Sequence, residues 1–194
     1  MEPKKLLNKL LKRSTFTTRD ATALGMSSSA LAYYVKLGVV ERISRGVYRN
    51  PQIKSSAPFE WQDLLEMAQS IPNGTICLIS ALAYYELTLE IQREFWVAIP
   101  HEVRNSKRAQ TRIIRTRNFK LGRVPLKIGE YNTFIFDKER CVVDAFKYLS
   151  KESAMYSLKT YLKRTKDHKP DLPKLARYSK ELRVDITPYL EALT

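Results

Sequence analysis

The chain has 194 residues, 44% of them hydrophobic, with 34 Lys plus Arg against 20 Asp plus Glu, a formal net charge of +14 and a pI near 9.8. That is enough apolar content for a real core and, at this length, for two domains, which excludes a disordered tail. No run approaches the roughly eighteen apolar residues of a membrane span, the opening MEPKKLLNKLLKR has no apolar stretch of the signal-peptide kind, and the cationic excess suits a polyanionic partner.

The charge is unevenly distributed. Residues 1–50 carry ten basic and three acidic groups, residues 51–100 two and six, residues 101–138 ten and three, and residues 139–194 twelve and eight. Two basic zones therefore flank an acidic one. Leu6, Leu7, Leu10 and Leu11 give the N-terminus the stripe of an amphipathic helix, read as the first helix of a domain in preference to a membrane anchor.

From Phe16 to Arg49 the chain reads FTTRDATALGMSSSALAYYVKLGVVERISRGVYR. A short helix over residues 17–24 is stopped by Gly25, and Met26 drops into the core behind the turn. Ser27 is a good N-cap for a second helix, in which Leu31, Tyr34 and Val35 face inward at i, i+3 and i+4. The opposite face is Ser28, Ser29, Ala32, Tyr33 and Lys36, small and polar at its start, as a helix entering a major groove requires. Gly38 ends that helix, and residues 39–43 and 47–49 alternate around the turn Ser44-Arg45-Gly46, with Arg42 and Arg49 on its flanks. Helix, turn, helix and basic hairpin in this order predict a winged helix-turn-helix. Its candidate DNA contacts are Thr17, Thr18, Ser27, Ser28, Ser29, Tyr33, Lys36, Arg42, Arg45 and Arg49.

The polar residues 51–57 are expected to link this domain, 1–50, to a second one, 58–194. After Pro58 a helix with Phe59, Leu64, Leu65, Ala68 and Ile71 inward is expected, its acidic first turn facing the helix dipole. Residues 75–87 are apolar nearly all round and predict a buried central helix. Strands are expected at 95–99, 112–117, 124–128 and 132–136, the last two joined near Gly129-Glu130. Helices capped by Asp137, Ser153 and Asp171, and a short one opened by Thr187-Pro188, complete the chain. The fold class is thus α+β: an N-terminal winged helix-turn-helix, then a mixed α/β domain (helices and a small sheet over 58–138) ending in a helical segment, 139–194.

A second basic surface is expected on Arg104, Lys107, Arg108, Arg112, Arg115, Arg117, Lys120, Arg123 and Lys127, which crowd one segment with few acids. Such residues strengthen binding by releasing counterions from phosphates without adding sequence information; the alternative is an edge strand protected by charge. Lys159, Lys163 and Lys166, at i, i+4 and i+7, read as a solvated helix face. Most of the eleven tyrosines fall at core or boundary positions, Tyr33 being the exception. Cys77 and Cys141 sit in apolar surroundings and read as reduced core thiols of a cytoplasmic protein, and with His101 and His168 they have no metal-ligand spacing, so neither metal nor cofactor is expected.

Three segments resemble the AbiEi family of bacterial antitoxins: GVVERISRGVYRNP; GTICLISALAYYELT with EFWVAIP; and DKERCVVDAFKY with LKTYLKR and LARYSKELRVDITPYLEAL. They occur in the family's order and span essentially the whole chain. The resemblance implies a repressor whose winged helix binds an inverted repeat in its own promoter. It also implies an antitoxin of a type IV toxin-antitoxin system, linked to abortive phage infection, that counteracts a nucleotidyltransferase-like toxin. The resemblance further implies a C-terminal domain that carries the antitoxin function and has a basic surface of its own. Because the residues of the second helix vary across the family, the operator sequence does not carry over. Two alternatives remain: a winged-helix regulator without a toxin partner, and a metal-dependent nuclease built on Asp137, Glu139, Asp144 and Lys147. The second is disfavoured because Asp137 reads as a helix cap and Asp144 with Lys147 as an i, i+3 helix pair. A pure protein-binding module would explain the acidic zone but not the basic hairpin.

Overall fold

The structure, a computed structural model, describes residues 3–55, 57–71, 73–104, 109–129, 131–163 and 169–193. The chain forms two compact units, Met1–Pro72 with Lys127–Thr133, and Asn73–Leu126 with Phe134–Thr194. It is a mixed α and β protein with two sheets.

In the first unit α1 (Pro3–Leu10) leads through β1 (Thr15–Thr17) into α2 (Thr18–Ala23), α3 (Ser28–Lys36) and the antiparallel pair β2 (Glu41–Ser44) and β3 (Val47–Arg49); a 3-10 turn, Phe59–Trp61, then precedes α4 (Gln62–Ser70). Local chemistry sets the helix ends. Thr17 closes a capping box with Asp20 at the start of α2, and Ser27 caps α3 by accepting from the Ala30 N–H. Gly25 and Gly38, at φ +89° and +69°, supply the left-handed turns that follow the two helices. Leu6, Leu7, Leu10, Phe16, Ala21, Met26, Leu31, Val40 and Tyr48 form one buried cluster. Each fully buried Leu or Phe stabilises by about 1.5–3 kcal/mol, so α1 is held in place by its leucine stripe.

The strands order β1-β3-β2, with Phe16, Tyr48 and Arg42 in one register and Thr15, Arg49 and Glu41 in the next. Cross-strand partners share a face, so Phe16 and Tyr48, stacked at 5.6 Å, point to the helical core. The other face carries Thr15, Arg49 and Glu41, and α4 packs against all three strands. Residues 51–57, expected as a linker, accordingly lie inside the first unit. Two expectations are corrected here. Thr17, expected as the first residue of a helix, instead ends the strand β1 and caps α2, because β3 offers residues 15–17 an edge to pair with. Phe59, expected inward, is 91% exposed, since the chain makes a 3-10 turn there and the α-helix begins only at Gln62.

The second unit contains β4 (Thr75–Ile76), α5 (Leu78–Tyr84), β5 (Phe95–Pro100), β6 (Thr111–Thr116), β7 (Arg123–Ile128), β8 (Tyr131–Phe136), α6 (Lys138–Tyr148), α7 (Lys151–Leu162), α8 (Leu172–Leu182) and α9 (Thr187–Glu191). Its sheet runs β6-β5-β4-β8-β7, with β4 antiparallel to β5 and parallel to β8, and β5 parallel to β6. The adjoining ends of β7 and β8, 127–133, belong to the first unit. The single helix expected over 75–87 is corrected: Ile76 is a strand residue paired with Val97 and Ile135, and the helix starts at Leu78. A run buried on all sides has no periodicity that separates strand from helix. Likewise α7 begins three residues earlier than expected, because Ser150 accepts from the Ser153 N–H at 3.1 Å. Asp137 and Asp171 cap α6 and α8 as expected. Cys77 and Cys141 are buried free thiols, pushed well above the usual thiol range by burial. No described helix is long and apolar enough to cross a membrane.

Candidate nucleic-acid interface

The first unit brings together most of the residues expected to meet DNA. On α3, Leu31 is buried and Tyr34 and Val35 pack against the core, which turns Ser28, Ser29, Ala32, Tyr33 and Lys36 to solvent. Tyr33 is 58% exposed, its ring set edge-on to Tyr34 at 5.5 Å. The Ser27 and Ser29 hydroxyls are hydrogen-bonded at 3.0 Å, so the polar start of the helix is already ordered. Ser28, Ser29, Tyr33 and Lys36 thus form a free face, small at its beginning and aromatic and cationic further along.

The two threonines act differently. The Thr17 hydroxyl donates to the Asp20 carboxylate at 2.6 Å and is taken up by the cap of α2. Thr18 is half-buried and its N–H donates to the Gly46 carbonyl at 2.9 Å, which fixes the tip of the β2–β3 hairpin against the start of α2. Gly46, at φ +79°, permits the tight turn, and its missing Cβ would lie 3.4 Å from the Thr18 hydroxyl.

The three hairpin arginines do not share a face. Arg45 is exposed at the tip, and Arg42 is exposed on the edge strand β2, in register with Tyr48 on the helical side of the sheet. Arg49 lies on the opposite face, beneath α4, paired with Glu66 and, at 4.0 Å, with Glu41. The Glu66 hydrogen bond raises the Arg49 guanidinium pKa further. Sequence reading missed Glu66 as a partner; its i, i+4 placement after Gln62 marks a helix face, but nothing local says that the face covers a sheet.

The second basic group is dispersed in the structure. Lys107 and Arg108 lie outside the described residues. Arg104, Arg112, Arg115, Arg117, Lys120 and Lys127 are exposed, but Lys127 belongs to the first unit and the others to the second. Parallel pairing puts Arg112 opposite Trp96 and Arg115 opposite Ile99, so the two arginines stand on opposite faces of the sheet. Arg112 stacks over Trp96 at 4.3 Å and lies 3.4 Å from Glu94. Arg123 is packed inward, 3.4 Å over Phe134 with its Nε donating to Thr75, and burial lowers its pKa. Arg115 projects from β6 on the face opposite Arg112, and Arg117 is exposed just past the end of that strand.

The acids considered for a nuclease are held by neighbouring side chains. Asp137 caps α6 through the Arg140 N–H, and its second oxygen lies 3.0 Å from both Lys174 Nζ and the Tyr178 hydroxyl. Glu139 lies 2.8 Å from Lys174 Nζ and accepts from the Tyr161 hydroxyl at 2.7 Å. Asp144 accepts from Arg140 Nε at 2.7 Å, while Lys147 is exposed and lies over Tyr148. Among the described residues no three His, Cys, Asp or Glu side chains converge as a metal site. Cation and phenol partners engage Asp137, Glu139 and one oxygen of Asp144, while Asp144 Oδ1 is buried without a hydrogen-bond partner.

Residues 5–51 match a family model described as transcriptional regulator, AbiEi antitoxin. The match covers α1 to β3 and ends before α4 and the second unit. No curated protein matches the chain.

Proposed function

We propose that this chain, whose first fifty residues carry the AbiEi regulator pattern, is a winged helix-turn-helix repressor that binds an inverted repeat in its own promoter. The observation that supports this reading most directly is the solvent-facing Ser28, Ser29, Tyr33 and Lys36 on α3, beside a hairpin whose tip carries Arg45. In this reading α3 enters the major groove with its small polar start leading, and the β2–β3 hairpin is the wing, meeting phosphate or the minor groove. Base discrimination falls to Ser28, Ser29, Tyr33 and Lys36, each lost base contact costing on the order of 1–3 kcal/mol. Arg49 supports the wing from behind. Arg115 and Arg117 add phosphate contacts that carry no sequence information.

The same chain serves as the antitoxin of a type IV system against a nucleotidyltransferase-like toxin, in the cytoplasm, without catalysis of its own. Selection of duplexes by the full chain from a random library tests the first part: one palindromic motif that also occurs in its own promoter is expected. A Ser28→Ala/Ser29→Ala/Tyr33→Ala variant should return an altered motif, and an unaltered one would assign base reading to another element. For the second part, a nucleotidyltransferase gene immediately downstream is expected. Its product should arrest growth, and co-expression of this chain should restore it. Failure of that rescue leaves a regulator without a toxin partner.

A further inference from the structure

The outer face of α1 is basic and takes no part in the proposed contacts of α3 and the hairpin. Leu6, Leu7 and Leu10 are 3–4% exposed, so the leucine stripe fixes the opposite face of α1, with Lys5 and Lys9 at i and i+4, toward solvent, and Lys12 is exposed in the turn that follows. Between residues 3 and 40 the only acid is Asp20. Its Oδ2 is already committed, accepting from the Thr17 N–H at 2.7 Å and the Thr17 hydroxyl at 2.6 Å. Arg13 approaches the other oxygen at 3.7 Å with both side chains well exposed, a pair of little strength in water.

That contact nevertheless shows where the end of α1 lies. Arg13 sits beside the first turn of α2, from which Arg19 projects to solvent, and the same turn receives the hairpin tip through the Thr18 to Gly46 bond. Lys12, Arg13, Arg19 and the Arg45 tip therefore gather around the start of α2, where the Asp20 carboxylate is already engaged by Thr17.

We propose that Lys9, Lys12, Arg13 and Arg19 form a phosphate-binding rail, continuous with the wing, that holds the duplex backbone outside the base pairs read by α3. The proposal rests on the DNA-binding reading and extends its contact surface to α1 and the start of α2. An anionic bilayer is the competing polyanion, but a membrane-surface helix needs a free apolar face to bury at the acyl boundary. In α1 that face is spent on the core. Duplex phosphates need only the cations, and each one neutralised releases condensed counterions.

The test is a Lys9→Gln/Lys12→Gln/Arg19→Gln variant of the full chain, with Arg13 kept so that its place beside Asp20 is undisturbed. Affinity for a random-sequence duplex and for the promoter duplex is measured across a salt series, with the thermal midpoint as a check on folding. The log-log salt slope should fall by about 2–3, at about 0.9 per phosphate, with the selected motif and the midpoint unchanged. A slope equal to that of the wild type overturns the rail. A charge-keeping variant, Lys9→Arg/Lys12→Arg/Arg19→Lys, should retain the wild-type slope, and a loss there would overturn the rail as well. Sedimentation with phosphatidylglycerol vesicles should show no difference between wild type and the glutamine variant. Vesicle binding lost in that variant while its duplex slope is unchanged would assign these side chains to lipid. If the wild type bound no duplex at all, the DNA-binding reading itself would fall first.

Discussion

Tyr131 lends its phenol to the backbone of a strand 116 residues earlier, accepting from the Thr15 N–H at 2.9 Å and donating to the Thr15 carbonyl at 2.6 Å. One side chain thus satisfies both backbone polar groups that Thr15 presents on the open edge of β1. Tyr131→Phe keeps the ring and strands those groups, so a loss of about 1–3 kcal/mol is expected in urea unfolding. Gly122 gives a second single-residue test. It sits at φ +67°, and an added Cβ would come within 2.7 Å of Arg140 Cβ and 2.9 Å of Asp137 Oδ1. Gly122→Ala should therefore lower the thermal midpoint clearly more than Gly25→Ala, where the backbone is equally left-handed but nothing lies within 4 Å. On the DNA face, Arg45→Ala should weaken binding to all sequences alike, because a tip arginine positions the complex without reading bases. Gel-shift titration of promoter and random duplexes checks this, and wild-type affinity in the variant would remove the β2–β3 hairpin from the proposed interface.

At the scale of elements, α8 is clamped to the start of α6 by one lysine between two carboxylates. Burial pushes the Glu139 carboxyl up, but hydrogen bonds from Lys174 and Tyr161 outweigh it and hold the pKa below the ordinary range. A native carboxyl titrating below its unfolded value contributes in full at neutral pH and loses that contribution as the pH falls through its folded pKa. Asp144 works in the opposite sense, since burial outweighs the Arg140 contacts and raises it. Glu139→Gln should thus lower stability at pH 7 while flattening its decline below about pH 4, read from urea midpoints along a pH series. An acid limb as steep as that of the wild type would show that another carboxylate sets it. What the sequence made legible in these elements was local. The caps Ser27, Asp137 and Asp171 and the stops Gly25 and Gly38 act within three or four residues, as does the alternation that turned Ser28, Ser29 and Tyr33 outward. What it hid depended on distant chain. The strands β1 and β4 exist through partners far along the sequence, Arg49 meets Glu66 only once α4 covers the sheet, and Arg112 and Arg115 are separated by the β5–β6 register.

For the molecule as a whole, with a net charge of +14, the proposed DNA affinity should fall with salt in proportion to the number of phosphates its cations meet. The share of the second unit is measurable in the full chain. Arg115→Gln/Arg117→Gln should reduce the salt slope by about 2 and leave the selected motif intact, because these exposed residues belong to the second unit and not to α3. An unchanged slope would free that face for the antitoxin role. Arg112→Gln should cost stability instead, since it removes the stack on Trp96.

The placing of Tyr131 also bears on how the protein comes off the ribosome. A first unit made only of residues 1–72 could close as soon as that stretch had emerged, but this one includes Lys127–Thr133. At roughly 5–20 residues per second, the intervening stretch takes several seconds to synthesise, and through that interval the edge of β1 is open to water or to another chain. The nascent chain therefore has its α3 face and all three strands of its first sheet long before Tyr131 arrives to cover the edge of β1, with less than half of the second unit translated by then.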